Sequence, residues 1–129
     1  MRARMMGGYW VFNPPYGYRY DKVGKHGKLL VRDEPCASAI AEALEGFASS
    51  RFETQGGVKR FLHASPYFPK DKHGTIHLQK VKELLTRVLY TGYLNKPEWD
   101  IHLVQGHHEP LISFETFQKI QERLNEKAK

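Results

Sequence analysis

Residues 74–92 read GTIHLQKVKELLTRVLYTG, and this stretch decides the fold that the rest of the chain supports. Within it, apolar side chains recur at i, i+3, i+4 and i+7, which gathers them on one face of a helix: Leu78, Val81, Leu84, Leu85, Val88 and Leu89. The other side is polar and has lysines at its edges: Gln79, Lys80, Lys82, Glu83, Thr86 and Arg87. The stretch predicts an amphipathic helix closed by a glycine at each end, with Thr75 or His77 near its N-cap. One face would be buried and the other would meet an external partner.

The length and composition of the chain indicate one domain with a modest core. The chain has 129 residues, of which 40% are hydrophobic, too large a share for a disordered protein. Its formal net charge is +6 and its pI is about 9.5. This basic excess permits a polyanionic partner without demanding one, because many basic domains bind no nucleic acid.

The single cysteine, Cys36, excludes an intramolecular disulfide and a cysteine-rich zinc site, and it favours a reducing compartment. No apolar run approaches the roughly 18 residues that span a bilayer. A cytoplasmic location without membrane association is therefore predicted.

Three further helices flank the organising one. The first follows Asp33-Glu34-Pro35 and runs to about Ser50, because acidic residues and proline favour a first helical turn. A shorter helix begins at Thr54, with Gly56-Gly57 in its first turns. The last helix begins after Ser113, and residues 125–129 are expected to fray as a charged tail.

Short β-strands are predicted before and between these helices. Residues 9–12 are aromatic and β-prone, and Tyr16, Tyr18 and Tyr20 alternate as in a strand that covers a small core. Residues 29–31 and 99–104 are further strands, whereas 93–97 is predicted to be a turn. The fold class is α+β, mainly helical. It has a helix-turn-helix-like core of three to four helices and short β-strands or hairpins in the N-terminal and central segments, although its connector, residues 65–73, is long for that motif.

Residues that would carry catalysis or bind a metal are not assembled in this sequence. His73 and His77 are four residues apart and His107-His108-Glu109 is compact, but these groups lie on separate loops and HExxH does not occur. No nucleophile elbow, phosphate-binding loop or dinucleotide fingerprint is found. We therefore predict no metal site, no cofactor and no catalytic residues, and interpret the chain as a binding module.

An ordered set of motifs resembles the recombinase domain of the large serine recombinases, the integrases and resolvases of mobile elements. The set comprises PPYGY at 14–18, the helix after Glu34, Val81-x-x-Leu84-Leu85, YTGY at 90–93 and HEPLIS at 108–113. It extends from about Gly8 to Leu124. The chain departs from the family at Ile76, where an aromatic residue is common, and at Arg87, where asparagine is common. These departures bear on where the recognition helix starts and which contacts it makes.

The resemblance implies that separate domains of a longer protein carry catalysis and DNA binding. In such proteins a separate N-terminal domain carries the serine that attacks DNA, and a zinc ribbon usually follows the recombinase domain. Residues 1–8 would then be a basic linker or arm, residues 9–124 the DNA-binding domain and residues 125–129 a tail. The resemblance therefore excludes a nucleophilic role for the serines of this chain: Ser38, Ser49, Ser50, Ser65 and Ser113.

The leading hypothesis is sequence-specific binding of double-stranded DNA, as part of a site-specific recombinase that integrates, excises or resolves DNA. Candidates for contacts to base edges lie near the start of the organising helix: Thr75, His77, Gln79, Lys80 and Glu83. Candidates for contacts to the DNA backbone are the surrounding cations: Arg2, Arg4, Arg19, Lys59, Arg60, Lys70, Lys72, Lys82 and Arg87. The resemblance also implies a bacterial cytoplasmic protein that joins the nucleoid when bound, with this fragment monomeric and the full-length protein oligomeric on DNA.

Two alternatives use the same residues differently. The polar face of the helix at 77–89 could bind an acidic protein partner, which a charge of +6 also fits. Exposed tyrosines could bind RNA, in which case single strands would be favoured over duplex.

Overall fold

The structure is a computed structural model that describes residues 2–70 and 72–128, with all side chains in these ranges except those of Arg2, His26, Lys127 and Ala128. The described part holds five α-helices and two antiparallel hairpins, which confirms the α+β, mainly helical class. In chain order the elements are α1 (Arg2–Met6), β1 (Tyr18–Lys22), β2 (Lys28–Arg32), α2 (Cys36–Ala48), α3 (Gln55–Ala64), α4 (Leu78–Thr86), β3 (Tyr93–Lys96), β4 (Ile101–Gln105) and α5 (Phe114–Ala128). Three 3₁₀ turns join some of them, at Gly24–His26, Val88–Thr91 and Pro97–Trp99. Within the described ranges, no helix is long and apolar enough to cross a membrane.

The four longer helices form the core. Helix α2 packs against α3 and α5, and α4 packs against the same two helices. The apolar side chains at their contacts are fully or almost fully buried: Ile40, Leu44, Phe47, Val58, Leu62, Val81, Leu85 and Ile120. The predicted core of three to four helices is therefore confirmed, and α3 forms despite Gly56-Gly57 because the Thr54 hydroxyl caps it by accepting from the Gly57 N–H at 3.1 Å.

Two hairpins lie beside this core. In the first, β1 pairs with β2 in a register that sets Tyr18 opposite Arg32 and Tyr20 opposite Leu30. In the second, β3 pairs with β4, and the register shifts between Leu94 and Lys96. The prediction of a turn at 93–97 is wrong, because residues 93–96 form β3, and the chain reverses after it through Pro97–Trp99 and a left-handed Asp100.

The N-terminal residues also differ from expectation. The arm predicted over residues 1–8 is, over residues 2–6, the helix α1, whose Met5 is fully buried and which contacts β4. The strand predicted at 9–12 does not form. The segment pairs with no neighbouring strand, and the Tyr20 hydroxyl instead reaches the carbonyls of Trp10 (3.2 Å) and Phe12 (2.5 Å). Met1 lies outside the described residues.

Helix α4 is shorter than the stretch between the two glycines predicts. It begins after His77, whose side chain makes no capping bond, and the chain leaves the helix at Arg87, which is extended (φ −86°, ψ 110°). The 3₁₀ turn Val88–Thr91 follows and ends at a left-handed Gly92. This early exit turns Tyr90 into the core, which a continuous helix to Gly92 would prevent.

Tyr90 joins three parts of the chain that are distant in sequence. It is almost fully buried, and its hydroxyl donates to the Tyr16 carbonyl at 2.7 Å. Its own carbonyl accepts from the N–H groups of Leu111 and Ile112, at 2.8 and 3.2 Å. The Tyr90 ring stacks on Tyr18, with ring centroids 6.0 Å apart. The PPYGY, YTGY and HEPLIS motifs therefore meet at one residue.

The last helix closes the core from the opposite side. The Arg123 guanidinium on α5 donates to the carbonyls of Phe47, Phe52 (3.1 Å) and Glu53 (3.2 Å), which satisfies acceptors at the end of α2 and just after it. The tail predicted at 125–129 is helical over 125–128, because α5 continues to Ala128. Lys129 lies outside the described residues.

Removal of the Tyr90 hydroxyl should destabilise the fold. Tyr90→Phe keeps the packed ring but leaves the Tyr16 carbonyl without its donor, so we expect the free energy of unfolding to fall by about 1–3 kcal/mol in urea titrations. Tyr67→Phe is the matched control, because the Tyr67 side chain is exposed and its change should cost less than about 0.5 kcal/mol. Equal effects of both changes would contradict the role given to Tyr90.

His108 should make stability depend on pH. Its ring is buried and its Nε2 lies 2.7 Å from the Leu89 carbonyl, so Nε2–H donates there. Burial lowers the pKa of His108 below its usual 6.5. As the pH falls, the unfolded chain takes up this proton first. The free energy of unfolding should therefore fall as the pH drops from 6.5 towards the lower pKa of His108 in the folded state. His108→Gln should flatten this part of the stability profile, and an unchanged profile would contradict the assignment.

Candidate nucleic-acid interface

Helix α4 presents one buried and one outer face. Val81, Leu84 and Leu85 point into the core, as the periodicity predicts. Leu78 was expected on the same face, but 51% of it is exposed, and the buried position is taken by Ile76 from the segment before the helix. The reason is that the chain is extended up to His77, so the helical spacing does not yet apply at residues 74–77.

The outer face of α4 is open over much of its length. Gln79, Lys82 and Thr86 are exposed and lie opposite the buried side chains. The Thr86 hydroxyl donates to the Lys82 carbonyl at 2.8 Å, so it satisfies one of the carbonyls at the end of the helix. Gln79 and Lys82 are thus held on a packed helix while their polar ends face outward.

Lys80 and Glu83 form a pair at the edge of this face. The Lys80 Nζ lies 3.0 Å from the Glu83 Oε2 and 4.7 Å from the centre of the Tyr16 ring. The hydrogen bond from Lys80 holds the pKa of the Glu83 carboxyl below its usual 4.5. Both side chains are half exposed, and their mutual contact neutralises charge that each would otherwise offer to a partner.

A groove runs along this edge between α4 and the segment at 14–16. Its volume is about 230 Å³, and Pro14, Pro15 and Tyr16 form one wall. The opposite wall includes Lys80 and Arg87. Tyr16 is fixed here because its carbonyl accepts the Tyr90 hydroxyl. The tyrosine pattern predicted that Tyr16 covers the core, but it is 40% exposed and flanks the helix instead, because β1 begins only at Tyr18.

The predicted base-contact residues are brought together only in part. Gln79, Lys80 and Glu83 lie on α4, with Gln79 the most outward. Thr75 and His77 are exposed but precede the helix in its extended approach, and both have contacts within the chain. The outermost helical positions include Lys82 and Thr86, of which Thr86 was not predicted as a contact.

The predicted backbone-contact cations fall into two groups. Two are already engaged: Lys70 Nζ donates to the Ser65 and Phe68 carbonyls (2.8 and 3.3 Å), and Arg19 pairs with Asp21 at 3.2 Å. The others are spread over α1, α3, α4 and the adjoining loops: Arg4, Lys59, Arg60, Lys72, Lys82 and Arg87. The Arg4 guanidinium also lies over the Tyr9 ring, 4.7 Å from its centre. The Arg2 side chain lies outside the described residues.

The described histidines do not converge on a common point where a metal could bind. His63 Nε2 lies 3.1 Å from the Gly74 carbonyl, His107 Nε2 lies 2.8 Å from the Gly7 carbonyl, and His108 is bonded to Leu89. Within residues 2–70 and 72–128, no group of three or more possible ligands converges. These rings make bonds to backbone carbonyls that tie loops together.

Comparison with known proteins identifies the family. Residues 38–127 match the family described as Recombinase. A crystal structure of an LSR–DNA complex has a TM-score of 0.69 and 23% identity, over 98% of this chain and 38% of that one. A structure determined for the sequence requirements of the Listeria innocua prophage attP site has a TM-score of 0.68 and 23% identity, over 95% of this chain and 48% of that one. No curated protein matches the sequence.

The chain therefore belongs to the Recombinase family. Its fold is that of the recombinase domain of large serine recombinases, which confirms the resemblance seen in the ordered motifs. The chain spans less than half of each matched structure, 38% and 48% of their lengths.

The contact between Lys80 and Glu83 can be tested by titration. Lys80→Gln should raise the pKa of Glu83 towards 4.5, because its hydrogen bond from a cation is the main cause of the lowered value. The carboxyl carbon resonance of Glu83, followed by NMR against pH, reports this directly. Lys82→Gln serves as the control, because this exposed lysine is not among the side chains that lower the pKa of Glu83 and its change should leave that pKa in place. An unchanged pKa in the Lys80 variant would contradict the pair.

Proposed function

We propose that this chain binds double-stranded DNA through the outer face of α4, as the sequence-reading part of a site-specific serine recombinase. The observation that carries the proposal is the two-sided build of α4, with Val81, Leu84 and Leu85 buried and Gln79 and Lys82 exposed on a firmly packed helix. Membership in the Recombinase family supports the assignment of DNA as the partner. The structural relative described as an LSR–DNA complex supports it as well.

The dimensions and side chains of α4 suit the major groove. Nine residues make a helix about 13.5 Å long, and the groove is about 12 Å wide, so one end-on or tilted helix fills it. Gln79 can pair bidentately with adenine, and Lys82 can donate to guanine or to a phosphate. Thr86 lies on the same outer face and can contact either a base edge or a thymine methyl group.

The Lys80–Glu83 pair has a separate role in this proposal. Because Lys80 and Glu83 neutralise each other, the pair adds no net charge to the reading face and contributes little to phosphate binding. The Glu83 carboxylate can still contribute to sequence reading, because it can accept a hydrogen bond from the amino group of a cytosine. Thr75 and His77 would approach the DNA from the segment that leads into α4.

The cleavage chemistry is proposed to belong to the rest of the recombinase. The contacts of two serines support this division, because both hydroxyls are used within the chain. Ser38 is bonded to Glu34 at 2.8 Å and Ser113 caps α5 through the Thr116 N–H at 3.1 Å. We propose that this domain is monomeric by itself and positions the catalytic part on the attachment site in the bacterial cytoplasm.

Duplex binding should be steeply salt-dependent. About six cations remain available for phosphates, so the logarithm of the binding constant should fall against the logarithm of salt concentration with a slope near −5. Fluorescence anisotropy measures the affinity for a random 30-base-pair duplex and for a duplex with the attachment sequence that flanks the parent element. The ratio of the two affinities gives the preference for that sequence. A nearly flat salt dependence, or tighter binding to an acidic polypeptide than to duplex, would overturn the proposal.

Two variants separate base reading from backbone contact. Gln79→Ala should lower the affinity for the attachment sequence about 5- to 150-fold, because a good bidentate base contact discriminates by roughly 1–3 kcal/mol. It should leave random-duplex binding nearly unchanged. Arg60→Ala should weaken both duplexes alike and reduce the slope by about 0.9. Equal losses on both duplexes for Gln79→Ala would assign that residue to backbone contact.

A further inference from the structure

A second concave surface lies beside α4, built around Trp10 and here called the Trp10 trough. It comprises Arg4, Trp10, Tyr20, Lys28, Arg87 and Lys96. Two adjoining cavities form it, of about 690 and 530 Å³, and they share Trp10, Val11 and Tyr20 as a common wall. The trough therefore extends from the β3–β4 hairpin to the N-terminal helix.

Side-chain contacts hold the floor of the trough in place. The Tyr20 hydroxyl lies within hydrogen-bonding distance of the Trp10 and Phe12 carbonyls, at 3.2 and 2.5 Å. The Trp10 Nε1–H donates to the Asn13 carbonyl at 2.9 Å. Phe12 packs edge-on against Trp10 (centroids 5.1 Å apart) and at a tilt against Trp99 (5.4 Å). An irregular segment is thus held in one shape before any ligand binds.

The walls of the trough carry one sign of charge. Arg87 and Lys96 line one cavity, and Arg4 and Lys28 line the other. No carboxylate is among the described residues that line either cavity, although Lys96 pairs with Glu98 at 3.0 Å. Cations along a concave surface attract a polyanion and raise its local concentration.

The trough is continuous with the face of α4. Arg87 follows the last residue of the helix and lines both the groove beside Lys80 and the trough. A further small cavity is bounded by Trp10, Thr86 and Arg87 together. A duplex that lies on the outer face of α4 would therefore meet the rim of the trough next.

The aromatic rings favour phosphate over unpaired bases as the occupant. Lys96 Nζ lies over Phe12 and Trp99, 5.0 and 5.4 Å from the ring centres, and the rings pack on each other. A base could reach the Phe12 and Trp99 rings only by displacing Lys96, whereas phosphates need only the cations at the rim. Stacking on bases is therefore the less favourable use of this surface.

We propose that the Trp10 trough binds the phosphodiester backbone of the duplex that α4 reads, just outside the bases contacted by that helix. This inference rests on the proposed DNA binding and adds a second contact surface to it. Arg4 and Lys28 supply ionic contacts at one end and Arg87 joins the trough to the helix. The segment around Trp10 is the rigid wall that keeps these cations apart.

Tryptophan fluorescence tests whether duplex covers the trough. The chain has two tryptophans, so Trp99→Phe leaves Trp10 as the only tryptophan, which is excited selectively, while a ring remains against Phe12. Acrylamide is the quencher, since a neutral molecule is not repelled by DNA. Saturating random 30-base-pair duplex should lower the quenching constant of Trp10. Duplex binding by anisotropy with unchanged quenching would overturn the trough and leave DNA binding standing, whereas absence of duplex binding would overturn both.

A charge-matched pair of variants tests the cations. Arg4→Gln with Lys28→Gln removes two charges from the trough, and Lys25→Gln with Lys119→Gln removes two exposed charges elsewhere. The trough variant should reduce the slope of log binding constant against log salt concentration by about 1.8. Between 50 and 200 mM salt, its affinity should therefore fall by a factor about 12 times smaller than that of the unchanged protein. The control should change the slope much less. Equal changes in both variants would overturn the proposal, as would a trough variant that weakens single-stranded DNA more than duplex.

Discussion

The structure depends on the buried Tyr90 and the bonds made by its two oxygen atoms. Its hydroxyl binds the Tyr16 carbonyl, and its carbonyl accepts from Leu111 and Ile112. Burial raises the pKa of Tyr90 far above its ordinary value, so the hydroxyl keeps its proton and remains a donor. Because an unsatisfied buried polar group costs about 1–3 kcal/mol, these bonds lock the N-terminal segment and the loop before α5 onto the end of α4.

This lock has a direct consequence for the proposed DNA-binding surface. The bond to Tyr16 holds the segment at 14–16 alongside α4, where the Tyr16 ring meets Lys80. One edge of the helix is therefore bounded by the chain itself, and the opposite edge, with Gln79 and Lys82, stays open. A reading helix needs such fixed surroundings, because a base contact discriminates only when its side chain is held in position.

Charge is distributed unevenly over this scaffold. Some predicted DNA contacts are used within the chain, as in the bonds from Lys70 to loop carbonyls and the pair between Arg19 and Asp21. Other cations gather in the Trp10 trough, where Arg4 comes from the N-terminal helix and Lys28 from the first hairpin. A net charge of +6 is therefore a poor guide to the interface, because what a polyanion meets is the local arrangement of unengaged cations.

The sequence by itself determined the mainly helical α+β class, the buried stripe Val81, Leu84 and Leu85, and the order of motifs that identifies the family. These features follow from local periodicity and residue type, which act over one or two turns. Tertiary structure alone decided that α4 ends at Thr86, that residues 93–96 pair as a strand, and that Met5 packs into the core. It also set Lys28 and Lys96 on one surface with Trp10. Each of these outcomes depends on contacts with residues far away in the chain. The end of α4, for example, is held by the bond between Tyr90 and Leu111, and no local pattern encodes such a contact.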